Sequence, residues 1–549
     1  MPRFAALDLG SNALRLRIVE AHASGLGREQ LSLLPEAGAS WRELVSLRAP
    51  VRLGAEVFVT GRLASASIGQ ACAALREFRQ AMDDAKVDVY RATATSAVRE
   101  ASNGTTLVER ARREAGIELE VIEGIEEARL VQLSVARRLG LSDKRALLVD
   151  VGGGSTELTY LDRGRTVWAI SLPIGNVRLL EMYLRGAKTV DRARQKLLSE
   201  GIDRALAEAV PVLTKMPFEI IVGTGGSVDT LFELCALKGG HAGYARAVDV
   251  GLLRTLLGKL FALTPDQRRE TFGLRPDRAD TIVPATSIFL RVAELFRAPA
   301  IIAPGVGLKE GILEELIDKY FDRWDKESEA RSLVDGCIRL GKRYGFDQDH
   351  GELVASLAMS LFDDMAGFHG FGERERLLLR VAALLHDIGD YVSYGGHHKH
   401  SYYLIQHSDI MGLTPNERAI VANVARYHRK SPPDPSHPSF RDLDKDARTK
   451  VRGLAAILRI ADALDREHLG KVKSVRAEID AKARKMNLVV TGKEDRELEE
   501  WTVRAKSELL RDVFDLDVVI AGSHASGRPS TQQPAAAAAV PSSNRPYGR

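Results

Sequence analysis

Two stretches of this sequence place an acid at the end of an apolar run and follow it with small hydrogen-bond donors. Asp8-Leu9-Gly10-Ser11-Asn12 is one, and Asp150-Val151-Gly152-Gly153-Gly154-Ser155-Thr156 is the other. Loops of Gly, Ser and Thr can aim several backbone N–H groups at a phosphate, and the hydroxyls add donors. Any one such loop reads equally well as a tight turn. Four of them, each closing an apolar stretch, point to phosphate. The third is Gly223-Thr224-Gly225-Gly226-Ser227 and the fourth is Ala303-Pro304-Gly305-Val306-Gly307. The expected phosphate grips are Gly10, Ser11, Asn12, Gly153, Gly154, Ser155, Thr156, Gly225, Gly226 and Ser227. Thr95 and Ser96 join them from Arg91-Ala92-Thr93-Ala94-Thr95-Ser96-Ala97-Val98-Arg99.

Charged residues complete the set. Asp8 and Asp150 stand where a carboxylate can hold Mg²⁺ directly or through water, or cap loop amides instead. Glu157 shortly after Asp150 favours the metal or water-positioning role there. Arg99 and Arg15 are candidates to neutralise phosphate, with a solvated surface arginine as the alternative for each. Glu126-Glu127 open a helical stretch, where one carboxylate could act as general base. Acidic pairs at a helix start also simply complement the helix dipole.

A different constellation lies in the second half. Leu384-Leu385-His386-Asp387-Ile388-Gly389 ends an apolar helical stretch with adjacent His and Asp. With His350, His398 or His400, His428 and Asp462, it supplies the ligand types of a divalent-metal centre.

These residues need elements to hold them. The pattern predicts strands over 3–9 and 14–19 around the first loop, and over 145–151, 157–161 and 166–172 around the second. Two copies of one device imply two similar α/β lobes facing each other across a cleft. Lobe I is expected at residues 1–125 and lobe II at 126–318. Beyond that point the texture turns to helical periodicity, predicting a separate all-α domain over 327–521. Residues 522–549 are rich in Ser, Pro and Ala and are expected to form a disordered tail.

The bulk numbers agree with an ordinary globular protein of several units: 549 residues, 45% hydrophobic and 28% charged. No apolar run suits a membrane span, and the start lacks the pattern of a secretory signal. Cys72, Cys235 and Cys337 are widely spaced and form no metal-type pair, consistent with a reducing cytoplasm. A net charge of +4 does not suggest a nucleic-acid binder.

The first-half motifs, with Glu126-Glu127-Ala128-Arg129-Leu130, occur in an order that resembles the exopolyphosphatase/guanosine pentaphosphate phosphohydrolase (Ppx/GppA) family over residues 1–316. The resemblance implies an α/β fold of two ribonuclease-H-like (actin-like ATPase) lobes. By it, Glu127 is the general base, Asp150 and Glu157 organise Mg²⁺ and the attacking water, and the loops grip phosphates. Pro304 and Lys309 depart from the family's usual Ser and Arg. His350, His386-Asp387, His428 and Asp462 resemble the metal positions of the HD phosphohydrolase superfamily, implying an HD-like helical domain. Many such extensions have lost ligands; here the set is kept, which implies a second divalent metal.

The expectation is a cytoplasmic, Mg²⁺-dependent exopolyphosphatase that removes terminal phosphate from inorganic polyphosphate. Guanosine pentaphosphate is the rival substrate. A non-catalytic polyphosphate or nucleotide sensor and an actin-like sugar or acetate kinase are the readings from other classes. No nucleic-acid or membrane partner is expected, and the resemblance implies a homodimer through the helical half.

Overall fold

The computed structural model describes residues 1–22, 41–322, 325–493 and 495–520. The expected tail at 522–549 lies outside the described residues.

Two sheets carry the first part of the chain. Strands β1 (Arg3–Leu9), β2 (Leu14–Ala21), β3 (Trp41–Ala49), β4 (Val89–Ala94) and β5 (Leu119–Val121) form one sheet in the order β3-β2-β1-β4-β5. Strands β6 (Arg145–Val151), β7 (Thr156–Asp162), β8 (Arg165–Leu172), β9 (Ile220–Thr224), β10 (Ala247–Asp249) and β11 (Ala300–Ile302) form the other, ordered β10-β11-β9-β6-β7-β8. In each, three antiparallel strands are followed by two parallel ones on the far side of the first strand, and in the second sheet β10 adds an antiparallel edge. β1 and β6 are therefore central and buried on both faces, which explains their nearly unbroken apolar sequences.

The repeat extends to single residues. Gly10 N–H donates to the Ala13 carbonyl at 3.2 Å, and Gly152 N–H donates to the Ser155 carbonyl at 3.0 Å. Both loops are thus the same turn between the same pair of strands. Across it, Asp8 is paired in register with Arg15, and Asp150 with Glu157.

Helix α1 (Gly124–Leu139) follows β5, and α2 (Gly226–Cys235) and α3 (Leu308–Tyr320) follow glycine-rich junctions. α1 and α3 pack together between the sheets. Leu130, Val131, Ile312 and Leu313 share one buried cluster with Phe4 of β1, Leu148 of β6 and Ile220 of β9. Each lobe also has its own core. The final helix of the second half therefore returns to the joint with the first, and the lobes cannot separate without exposing that cluster.

The third unit has an independent core. Its principal helices are α4 (Gln348–Asp364), α5 (Glu373–Leu385), α6 (His397–Gln406), α7 (Pro415–Arg426), α8 (Lys445–Ala463) and α9 (Glu497–Lys506). Local signals set several starts: Pro415 fills the first turn of α7, and Thr414 with Glu417 forms a capping box. The unit departs from an all-α domain in one respect. β12 (Val472–Asp480), β13 (Lys485–Gly492) and β14 (Asp517–Ile520) build a three-stranded sheet. Charged residues at alternate positions of β12, such as Lys473, Arg476 and Glu478, mask its apolar face in the sequence, but Val475 and Ala477 are buried as a one-sided strand requires.

Candidate functional site

The strand ends of both sheets converge on a cleft of about 550 Å³. Its walls include Asp8, Gly10, Ser11, Asn12, Arg15, Thr95, Ser96, Glu127, Asp150, Gly153, Ser155, Gly225, Gly226 and Ser227. Most of the residues singled out in the sequence are thereby brought to one place. Ser11 and Ser96 meet at 2.9 Å between their hydroxyls. Asn12 donates to Asp277 at 3.3 Å and accepts from Arg52 Nε at 3.0 Å.

Four expected residues stand outside these walls. Glu157 is buried on β7, in register with Asp150. Thr156 is fully buried and its hydroxyl donates to the Ile174 carbonyl at 2.6 Å, because β7 turns that side chain into the lobe. The Gly154 carbonyl accepts from Arg178 Nε at 2.7 Å. Arg99 donates to the Ile122 carbonyl at 2.6 Å, and its charge acts on Glu127 and Glu157 from behind.

The core of the cleft is acidic. Glu127, Asp150 and Glu157 are buried, with one oxygen of each within 4.8 Å of the others. Three carboxylates in so little space repel, and burial disfavours their charges further. Burial, with Asp150 beside it, pushes Glu157 up to about 7. Asp150 is pushed up to about 6, chiefly by burial, although the Thr224 hydroxyl donates to it at 2.7 Å. Glu127 is raised well above the usual carboxylate range by burial and by both neighbours. Among the described residues, Glu127 Oε2 and Glu157 Oε2 are buried without a hydrogen-bond partner. A hard divalent cation is what such a donor set fits, since it satisfies orphaned oxygens and removes the repulsion. Asp8 does not join this group. It pairs with Arg15 at 3.1 Å.

The two halves of the cleft therefore use one position oppositely. The β2 residue in register with the first acid is Arg15; its counterpart on β7 is Glu157. One lobe balances its aspartate with a built-in cation, and the other accumulates negative charge.

Glycines make the approach possible. Gly124 starts α1 so close to β8 that a Cβ there would lie 2.2 Å from Ser171 Oγ and 3.3 Å from Glu157 Oε1. Ser171 in turn donates to Glu157 at 2.7 Å. Gly225 sits at φ +86°, and a Cβ would come within 2.7 Å of the Val151 carbonyl. The helix start also separates the paired glutamates. Glu127 faces the cleft, whereas Glu126 pairs with Arg129 at 2.7 Å and Arg91 at 3.2 Å.

Lys309 also lines the cleft, as do Arg17, Arg48, Arg275 and Arg278, four arginines not singled out in the sequence. Arg278 donates to Ser227 Oγ at 2.5 Å, and burial lowers it to about 10. Arg48 is ion-paired with Asp277. Arg48 lies on β3, and Arg275 and Arg278 at the short helix Pro276–Ala279, away from the glycine motifs, so only the fold collects them. The rim of the cleft is thus strongly cationic around an acidic floor.

In the third unit, His350, His386, Asp387, His428 and Asp462 also converge. α6 turns His397 toward them, 3.3 Å from Asp387, rather than His398 or His400. His398 is buried nearby, and burial pushes it down to about 4. Adjacent residues on a helix point about 100° apart, and that angle decides the choice here.

Comparison with known proteins now bears on this geometry. A model of the Ppx/GppA phosphatase family matches residues 36–320, and a model of that family's domain III matches residues 335–508. The chain belongs to the Ppx/GppA phosphatase family. Proteins named guanosine-5'-triphosphate,3'-diphosphate pyrophosphatase are similar to it. That of Vibrio vulnificus is 27% identical over 78% of this chain and 81% of its own length, and that of Vibrio cholerae 26% over 94% and 95%. A crystal structure of an exopolyphosphatase from Cytophaga hutchinsonii is 26% identical, with a TM-score of 0.51, and covers 58% of this chain and 98% of that one. The chain is thus a phosphoanhydride hydrolase with the actin-like two-lobed fold. Among the described residues, no helix is long and apolar enough to cross a membrane.

Proposed function

We propose that this cleft is an exopolyphosphatase site, hydrolysing the terminal phosphoanhydride of inorganic polyphosphate. The observation that carries the reading is the buried trio Glu127, Asp150 and Glu157 set against a cationic rim of Arg15, Arg48, Arg275 and Arg278. A chain of phosphates fits that rim along its length, with its end at the acids.

Asp150 and Glu157 would hold Mg²⁺, which supplies charge neutralisation at the phosphate under attack. Glu127 accepts a proton from water as that water attacks the terminal phosphorus. The bridging P–O bond breaks, and its electron pair stays with the shortened chain. Glu127 suits this task because burial and the neighbouring Glu157 and Asp150 raise its proton affinity well above the usual carboxylate range. The loops and arginines orient the phosphates, and phosphoryl transfer depends mainly on such positioning and charge balance. The Thr224 and Ser171 hydroxyls fix the two cation-holding carboxylates.

Guanosine pentaphosphate is the second reading, favoured by the similar proteins named for that kind of substrate. Phosphate release by the full chain, measured side by side on long polyphosphate and guanosine pentaphosphate, separates the two. Polyphosphate is expected to give the higher kcat/KM, and the reverse order overturns the preference. Glu127→Gln is expected to lower turnover by about a thousandfold, within the range for general-base and positioning losses, while polyphosphate still binds. Near-normal turnover would remove Glu127 from the role.

A further inference from the structure

Arg15 and Arg48 stand side by side in the cleft, in register on the neighbouring strands β2 and β3. Like charges directly opposite each other on a sheet repel. Each is offset by a carboxylate, but from different places. Arg15 pairs with Asp8 of its own sheet at 3.1 Å. The acid on Arg48 comes from the other lobe, and is Asp277 of the short helix Pro276–Ala279. The same Asp277 oxygen, Oδ2, accepts from Asn12 Nδ2 at 3.3 Å. Burial disfavours the charge on Arg48, as do Arg275 and Arg15 nearby, and Asp277 works against all three.

One carboxylate oxygen therefore takes two donors, Asn12 and Arg48, that both belong to the cleft wall. A guanidinium beside an amide N–H is equally what a phosphate oxygen seeks. Water screens the pair little, since the side chains of Arg48 and Asp277 are only 22% and 15% exposed. The carboxylate is not what ties the lobes together. Glu100 and Arg178 join them at 2.5 and 2.7 Å without using any residue of the cleft wall. Nor does it dock its own helix. Arg52 holds the Asp277 carbonyl at 3.2 Å and Asp280 at 2.9 Å. The Asp277 side chain can thus turn away while its helix stays in place.

We propose that Asp277 is an internal competitor of the substrate: its carboxylate holds Asn12 and Arg48, a phosphate of the bound chain must displace it, and the grip on that chain is weakened accordingly. In an exopolyphosphatase such weakening has a use. A chain shortened at its end must advance before the next cleavage, and it breaks its contacts with the wall each time. Tight binding of substrate and product alike does not raise turnover. An acid that takes back Arg48 as a phosphate leaves it keeps that arginine from trapping the chain. The competition requires only that phosphates bind in this cleft. It rests on that part of the reading above and not on a preference for polyphosphate over guanosine pentaphosphate.

The test titrates the full chain by calorimetry with diimidotriphosphate in the presence of Mg²⁺. This analogue of tripolyphosphate carries P–N–P bridges in place of the anhydride oxygens, so binding is read without cleavage. Asp277→Asn keeps the shape of the side chain and removes its charge. Its Kd is expected to fall about tenfold, well within what one charge a few ångströms away contributes near a protein surface. In an Arg48→Gln background the same substitution is expected to change Kd less than about threefold, because the main donor in dispute is gone. Thermal unfolding identifies a variant that fails to fold, and Asp277→Ser, likewise uncharged, then carries the result. Weaker binding by Asp277→Asn would make the acid a support that aims Arg48 at the substrate, and equal binding would leave it no part. Either overturns the competition, as does a gain of the same size in the Arg48→Gln background. If parent and variant both fail to bind the analogue, the phosphate reading of the cleft itself falls, and the competition with it.

Discussion

Glu157 and Asp150 tie the chemistry of the cleft to the stability of the chain. Their folded proton affinities, about 7 and about 6, lie above ordinary values of 4.5 and 3.8. Between those limits the folded chain binds more protons than the unfolded one, so without a cation its stability falls as pH rises. The loss begins near the ordinary values and is complete above about 7. A shift of this size corresponds to a few kcal/mol, on the order of 1.4 kcal/mol for each unit. Chelator-treated protein is therefore expected to unfold more readily at about pH 7.5 than at about pH 5, and Glu157→Gln to flatten that fall. Mg²⁺ should restore stability at the higher pH and do little at the lower, where protons compete for the same oxygens. Equal slopes in the parent and Glu157→Gln, measured by thermal unfolding with and without Mg²⁺, would dissociate the trio from both effects. The prediction isolates Glu157 by difference because His386, raised to about 9, also loses stabilisation as pH rises above its ordinary range.

At the level of elements, what places Glu127 is the closeness of α1 to β8. Gly124→Ala would set a methyl group 2.2 Å from Ser171 Oγ and 2.4 Å from Ser171 Cβ. Rotation of the hydroxyl cannot relieve the second contact, so the helix start must shift. A displacement of about 1 Å at a reacting group can cost about a hundredfold in rate. Gly124→Ala is expected to lose kcat by tenfold or more with a smaller change in KM. Adding Ser171→Gly should recover part of the loss by making room, even though it removes a hydrogen bond to Glu157. If the double variant is no better than the single one, the contact is not the cause. This close approach also marks where the sequence stopped being legible. The strand–loop–strand device could be read twice because its acid, glycines and hydroxyls are adjacent in the chain. Which of Glu126 and Glu127 faces the cleft depends on how α1 is rotated, and Arg48 and Arg278 reach it only through sheet order and loop packing. His397 was likewise hidden among neighbouring histidines, because one residue along a helix turns the side chain away.

The whole molecule places the third unit against the same helix start. Arg418 of α7 lies 3.8 Å from Glu123, the residue that precedes α1. Asp409 stands nearby, and Arg418, Glu123 and Arg99 all act on its charge. The helical unit therefore pairs with the residue that precedes the helix carrying Glu127, and its Asp409 feels the charge of Arg99. A cavity of about 940 Å³ runs along this junction, walled by α1, β8 and residues of the third unit such as Leu333, Tyr344 and Ile410. One partly exposed ion pair contributes less than about 1 kcal/mol, so neutralising Arg418 should change little. Reversing its charge is different, since Arg418→Glu sets two carboxylates face to face with a third, Asp409, close by. The expected outcome is a looser junction, seen as a larger radius of gyration in solution scattering. A several-fold fall in kcat should accompany it, eased by raised salt as the repulsion is screened. The acids themselves are unaltered in this variant, so a rate change that follows ionic strength would trace to how the third unit holds α1. Unchanged scattering together with unchanged turnover would mean that the junction is held by its apolar contacts and that Arg418 has no part in positioning Glu127.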